Sequence, residues 1–113
     1  MKINMGFGST CVLVAVGLFV SSLAFQAAVP ATDGAVIFKK NCMMCHGADG
    51  KGFPVLKTPD FTNHKWQSSI KDPQMKEVIK NGKNGTAMAG FSGRLNDAEI
   101  SAVIVYIRSL KKK

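Results

Sequence analysis

Asn41 to His46 reads "NCMMCH", two cysteines three positions apart with a histidine directly after the second. The 113-residue chain holds one further cysteine, Cys11, and one further histidine, His64. Several chemistries compete for such a pair. A disulfide across two residues closes a very small loop and removes little entropy from the unfolded chain, so it is a poor stabiliser. Structural zinc needs two more ligands at zinc-finger spacing, and His64 lies outside the usual interval. A thioredoxin-like redox pair sits beside a βαβ pattern, and this chain has no convincing run of strands.

The compartment narrows the choice. After Lys2 the chain runs from Ile3 to Thr32 without a charge, and "CVLVAVGLFV" at Cys11 to Val20 is its most apolar part. A basic start, a short apolar centre and small residues near a cleavage point describe a secretory leader. Ser22-Leu23-Ala24 is the expected cleavage site, giving a leader over 1–24 and a domain over 25–113. Val29-Pro30-Ala31 would place the cut as late as 31. The competing reading is an uncleaved anchor, because an uncharged run of this length could span a bilayer. Ser21, Ser22, Gln26 and Pro30 interrupt the apolar run and favour cleavage. Export to the periplasm would leave Cys42 and Cys45 as the only cysteines of the mature domain.

C-x-x-C-H is also the attachment signal for covalent haem. Cysteines three apart lie on one face of a helical turn, so both sulfurs can add to vinyl groups along one side of a porphyrin. The next residue, His46, is then carried beneath the iron as its proximal ligand. A chain this short rarely stabilises itself from side chains alone, and a buried porphyrin supplies missing apolar contact.

The remaining pattern is helical, with no internal repeat. In "TDGAVIFKKNC" Thr32 or Asp33 caps a first helix that ends on Lys39 and Lys40, as the helix dipole favours. Gly47 to Asn63 is rich in Gly, Pro, Asp and Thr and reads as an irregular loop. "KDPQMKEVIKNG" places Asp72 at a cap, Pro73 at the first helical position and Gly82 past the end. "KNGTAMAGFSG" is a second Gly-rich loop. In the last segment Asn96 and Glu99 form a capping box ahead of Ile100, Val103, Ile104 and Ile107 at helical spacing.

This order of features resembles a class I monohaem cytochrome c of the small bacterial kind, from about Gly34 to Leu110. The resemblance implies an all-α fold in which the first and last helices cross while loops wrap one covalent haem c. Gly34 and Phe38 match the first helix of that family, and Val103 and Tyr106 the last. The family's distal methionine falls on Met88 in "GTAMAGF". The proline that often follows that methionine is Ala89 here, which implies a less rigid loop. "TPDF" resembles the segment whose proline carbonyl accepts the proximal imidazole N–H. That makes Pro59 the orienting residue for His46, with Pro54 as the alternative. Trp66 is matched to an aromatic that donates to a haem propionate, and is equally read as a large hydrophobe. Phe61, Phe91 and Leu95 are expected to line the pocket. Met43 and Met44 lie between the cysteines, Met75 falls on an apolar stripe, and His64 is the rival distal ligand.

The whole chain carries a net charge of +8, and a leader containing only Lys2 would leave fourteen Lys and Arg against seven acids. Export and the lack of an aromatic-interleaved basic platform exclude nucleic acid. The expected partners are redox proteins with an acidic docking face, met by lysines near an exposed haem edge. The same lysines also serve solubility. The resemblance thus implies a monomeric electron carrier, or a subunit of a larger redox enzyme, that has no membrane insertion once its leader is cut. Two other classes remain at this point: a thiol–disulfide oxidoreductase using Cys42 and Cys45, and a haem sensor or peroxidase-like protein whose sixth ligand leaves.

Overall fold

A computed structural model of the chain describes residues 32–112. The expected leader over 1–24 lies outside them. Among the described residues five α-helices follow one another: α1 Gly34–Asn41, α2 Met43–His46, α3 His64–Ser69, α4 Asp72–Asn81 and α5 Asp97–Ser109. A 3-10 turn at Pro54–Leu56 lies between α2 and α3. Among the described residues there is no strand, and no helix is long and apolar enough to cross a membrane. The all-α expectation agrees with this architecture.

Helix starts follow local chemistry. Asp33 caps α1 by accepting from Ala35 N at 2.9 Å. Asn96 and Glu99 close the expected reciprocal box on α5, Glu99 N donating to Asn96 Oδ1 and Asn96 N to Glu99 Oε2. In α4 the cap falls one residue earlier than the sequence suggests: Lys71 precedes the helix, Asp72 is its first residue, and Gln74 Oε1 accepts from Lys71 N at 2.8 Å. Asp72 then adds a negative charge where the helix dipole is positive. The short α3 was not anticipated, since six residues are too few to show a period. Its one signal is Asn63, whose Oδ1 accepts from Trp66 N at 3.0 Å.

The core forms where α1 crosses α5 and α4 lies along α5. Ile100 and Val103 are fully buried, with Ile104 and Ile107 on the same stripe and Met75 and Ile79 facing from α4. Gly34 makes the crossing possible. A methyl group there would collide with the carbonyl of Ala102 and sit 3.1 Å from Tyr106 Cβ. The glycine therefore admits the backbone of α5 first and the aromatic second. Phe38, one turn on, is 1 % exposed and packs its ring 5.2 Å from that of Tyr106. Salt bridges from Lys76 and Lys80 to Asp97 tie α4 to the start of α5, but they are solvent-exposed and contribute little.

Gly34→Val should lower stability by about 2–3 kcal/mol, because the new side chain must push one helix off the other's backbone. Val105→Ala, on the exposed face of α5, should stay within about 0.5 kcal/mol of the parent. Equal denaturation midpoints for the two variants would show that the crossing does not depend on the glycine.

Candidate functional site

α1 does not simply stop at Asn41. Cys42 keeps right-handed helical angles, and its carbonyl accepts from Cys45 N at 3.1 Å and His46 N at 2.9 Å, so the motif is wound into a single turn. His46 is buried at the end of that turn, Cys42 half-buried and Cys45 exposed. Gly47 turns the chain away at a φ of 78°, and Gly52 N returns to donate to the His46 carbonyl at 2.8 Å.

These side chains open onto a cavity of about 490 Å³. All nine residues singled out from the sequence line it: Cys42, Cys45, His46, Pro59, Phe61, Trp66, Met88, Phe91 and Leu95. The wall also includes Ile70, and Met75, Val78, Ile79, Val103 and Ile107, which helical spacing identifies only as core. Core and cavity wall share these residues, so periodicity cannot separate the two roles. His64 is exposed and does not line the cavity. Met44 is 85 % exposed and Met75 is packed in the core at 4 %.

Electrostatics bears on the competing chemistries. Burial lowers the pKa of His46 and keeps its imidazole neutral, the form that ligates metals. The Cys42 thiol is pushed up to about 11, chiefly by burial and secondarily by Cys45 beside it. Thiol–disulfide enzymes need the reverse, a thiolate favoured by neighbouring positive charge. Among the described residues, no three of His, Cys, Asp or Glu gather as a metal site would require, which disfavours structural zinc.

Pro59 borders the cavity, and His46 Nδ1 is buried with no hydrogen-bond partner among the described residues. Thr58 Oγ1 accepts from Phe53 N at 2.7 Å, and the carbonyls of Thr58 and Pro59 crowd Gly52, 2.7 Å from where its Cβ would be. Pro54, the alternative, is exposed on the 3-10 turn and does not line the cavity. The imidazole lies against Phe61, ring centroids 4.7 Å apart and 20° from parallel.

Met88 hangs from a loop that is closed at its neck. Lys83 N donates to the Met88 carbonyl at 3.0 Å, while Phe91 N and Ser92 N donate to the carbonyls of Ile79 and Lys80 at the end of α4. Gly82 and Gly90 let these strands of chain touch. A Cβ on Gly82 would lie 2.6 Å from the Met88 carbonyl, and one on Gly90 2.5 Å from that of Lys80. Ala89 in place of proline therefore does not leave the loop unsupported. Its free part is the tip, where a Cβ on Gly85 would meet nothing within 4 Å.

The cavity fits a porphyrin by size and by donor chemistry. Its volume lies in the range of cofactor pockets, its wall is mainly apolar, and two thiols, an imidazole and a thioether reach it.

Residues 29–107 match the family described as "Cytochrome C oxidase, cbb3-type, subunit III". A "Cbb3-type cytochrome c oxidase subunit FixP" from Bradyrhizobium sp. (strain ORS 278) is 37% identical over 90 residues, covering 80% of this chain and 31% of that protein. A "Dihydro-heme d1 dehydrogenase" from Pseudomonas aeruginosa is 34% identical over 96 residues, covering 83% of this chain and 18% of that protein. The chain thus spans less than a third of the length of these curated relatives. Among solved structures, "KustC0563 c-type cytochrome" superposes with a TM-score of 0.66 at 29% identity, covering 71% of this chain and 99% of that one.

Proposed function

The chain belongs to the cbb3-type cytochrome c family, and from that membership we propose an electron-transfer protein with one haem c. It would work outside the cytoplasm and exchange electrons with protein partners. One observation carries the reading: Cys42, Cys45, His46 and Met88 line a single apolar cavity. One haem is proposed because the sequence has one C-x-x-C-H.

When bound, haem supplies reversible one-electron exchange between ferrous and ferric iron. Cys42 and Cys45 would hold it through thioether links, and His46 and Met88 would be the metal ligands. The buried, neutral imidazole of His46 offers a lone pair without first losing a proton. The soft thioether of Met88 favours the reduced metal and so raises the potential. Phe61, Phe91 and Leu95 keep water from the cavity, and Trp66 is assigned to a propionate through its indole N–H. With His46 and Met88 both ligating the metal, no substrate would need to bind it. The neck at Gly82 and Gly90 supports this electron-carrier reading over a sensor or peroxidase-like one, because it holds the backbone of Met88 against α4.

Electrons would pass where the cavity meets solvent. Lys57 and Lys83 line it and are exposed, and beside Lys57 the 3-10 turn presents Val55 at 91 % exposure. An acidic partner face suits this border, whether the partner is a separate protein or a neighbouring subunit in a complex of the kind the relatives' names describe. Charge pairs at such a rim speed encounter more than they tighten binding.

The mature protein should exceed its polypeptide mass by one haem and show sharp c-type bands when reduced; a colourless product with both thiols free would falsify the assignment. Met88→Ala should abolish the weak far-red band of thioether-bound ferric haem, and survival of that band would move the role elsewhere. Gly90→Ala should weaken the same band and speed carbon monoxide binding, while Gly93→Ala, where a Cβ meets nothing within 4 Å, should leave both unchanged. Reduction by the partner should slow steeply as salt rises; a rate indifferent to ionic strength rules out lysine steering.

A further inference from the structure

Gln67 is a polar side chain in a place where polarity is costly. It lies in α3 and is 5 % exposed. A buried amide is tolerated when its donors and acceptor are all satisfied. Here they are. Nε2 donates to the Phe61 carbonyl at 2.7 Å and to the Ile107 carbonyl at 2.8 Å, and Oε1 accepts from Arg108 Nη1 at 2.8 Å. Arg108 in turn locks α3 in place. Its Nη1 donates to the Gln67 carbonyl at 2.6 Å, its Nη2 to the Ile70 carbonyl at 2.6 Å, and its Nε to Asp72 Oδ1 at 2.8 Å. The planar guanidinium fork thus fixes three segments at once.

The consequence for the cavity runs through Phe61. Its peptide is held on both sides, by Phe61 N donating to the Gly50 carbonyl at 2.8 Å and by Gln67 Nε2 on its own carbonyl. The ring so placed lies stacked on His46, and Trp66 packs behind it at 4.8 Å. The face of Phe61 is thus the packing contact that lies along the plane of the imidazole.

We propose that Gln67 is a positioning residue for the His46 imidazole: by gripping the Phe61 carbonyl, under the clamp of Arg108, it holds the phenyl ring flat against the histidine. The proposal rests on His46 being the nitrogen ligand of the haem. A Gln67 that merely ties α3 to α5 would affect stability and nothing at the metal.

The test uses the haem-loaded protein and three readouts: the hyperfine-shifted imidazole resonances of the ferric form, the midpoint potential and the unfolding temperature. Gln67→Leu and Phe61→Leu should each displace the imidazole resonances and shift the potential. The double variant should move them no further than Phe61→Leu alone, because the two residues act in series. Ile100→Val, buried in α5 and not part of the cavity wall, should lower the unfolding temperature and leave resonances and potential in place. The proposal is overturned if Gln67→Leu lowers the unfolding temperature while resonances and potential keep their parent values. Should Gln67→Leu fail to accumulate, Arg108→Lys, which loses the fork that clamps Gln67, carries the same expectation and the same refutation. A parent protein lacking ligated imidazole resonances overturns the assignment of His46 itself, and is recognised before any Gln67 variant is compared.

Discussion

The structure depends on a core assembled around space. Residues that would otherwise close on one another, Met75 and Ile79 from α4, Val103 and Ile107 from α5, form the wall of a cavity of about 490 Å³. An apolar wall of that extent is costly to leave to water, and a large apolar group filling the cavity would complete the interior. Covalent attachment through Cys42 and Cys45, as proposed, would keep that group from dissociating. The helix crossing at Gly34 serves the same end: it brings α1 onto α5 so that the C-x-x-C-H turn begins beside the buried stripe.

Much of this is legible in the sequence because it is written in local chemistry. The cysteine pair and histidine declare themselves by spacing, the caps at Asp33 and Asn96 by residue type, and α5 by its isoleucine and valine period. Those signals act over three or four residues. A reader needs no tertiary information to find them.

What could not be read depends on contacts between distant segments. Gln67 and Arg108 are forty-one positions apart and nothing near either announces the pairing. A glutamine in a stretch without visible period looks like surface. Pro59 lies at the same boundary. A proline in a familiar tetrapeptide suggests a carbonyl aimed at the imidazole, but where a carbonyl points depends on the surrounding fold, in which Thr58 bonds to Phe53 and Gly52 approaches closely. Sequence supplies the residue; packing decides where its backbone points.

The two proposed axial ligands are supported in different ways, and this asymmetry has a consequence for tuning. His46 is held by helix on one side, by an aromatic face on the other, and behind that face by a buried amide and guanidinium network. Met88 is held by contacts at the neck of its loop and by Thr86 Oγ1, which accepts from Met88 N at 3.2 Å, while the loop is open at Gly85. Interior packing resists small displacements because every neighbour must move too, whereas a loop neck can yield over a few bonds. Substitutions in the segment from Gly82 to Gly90 can therefore adjust the thioether while leaving the imidazole undisturbed. Changes at Phe61 or Gln67 act on the imidazole and on the core together. A chain built this way can vary its potential through the distal loop without risking its fold.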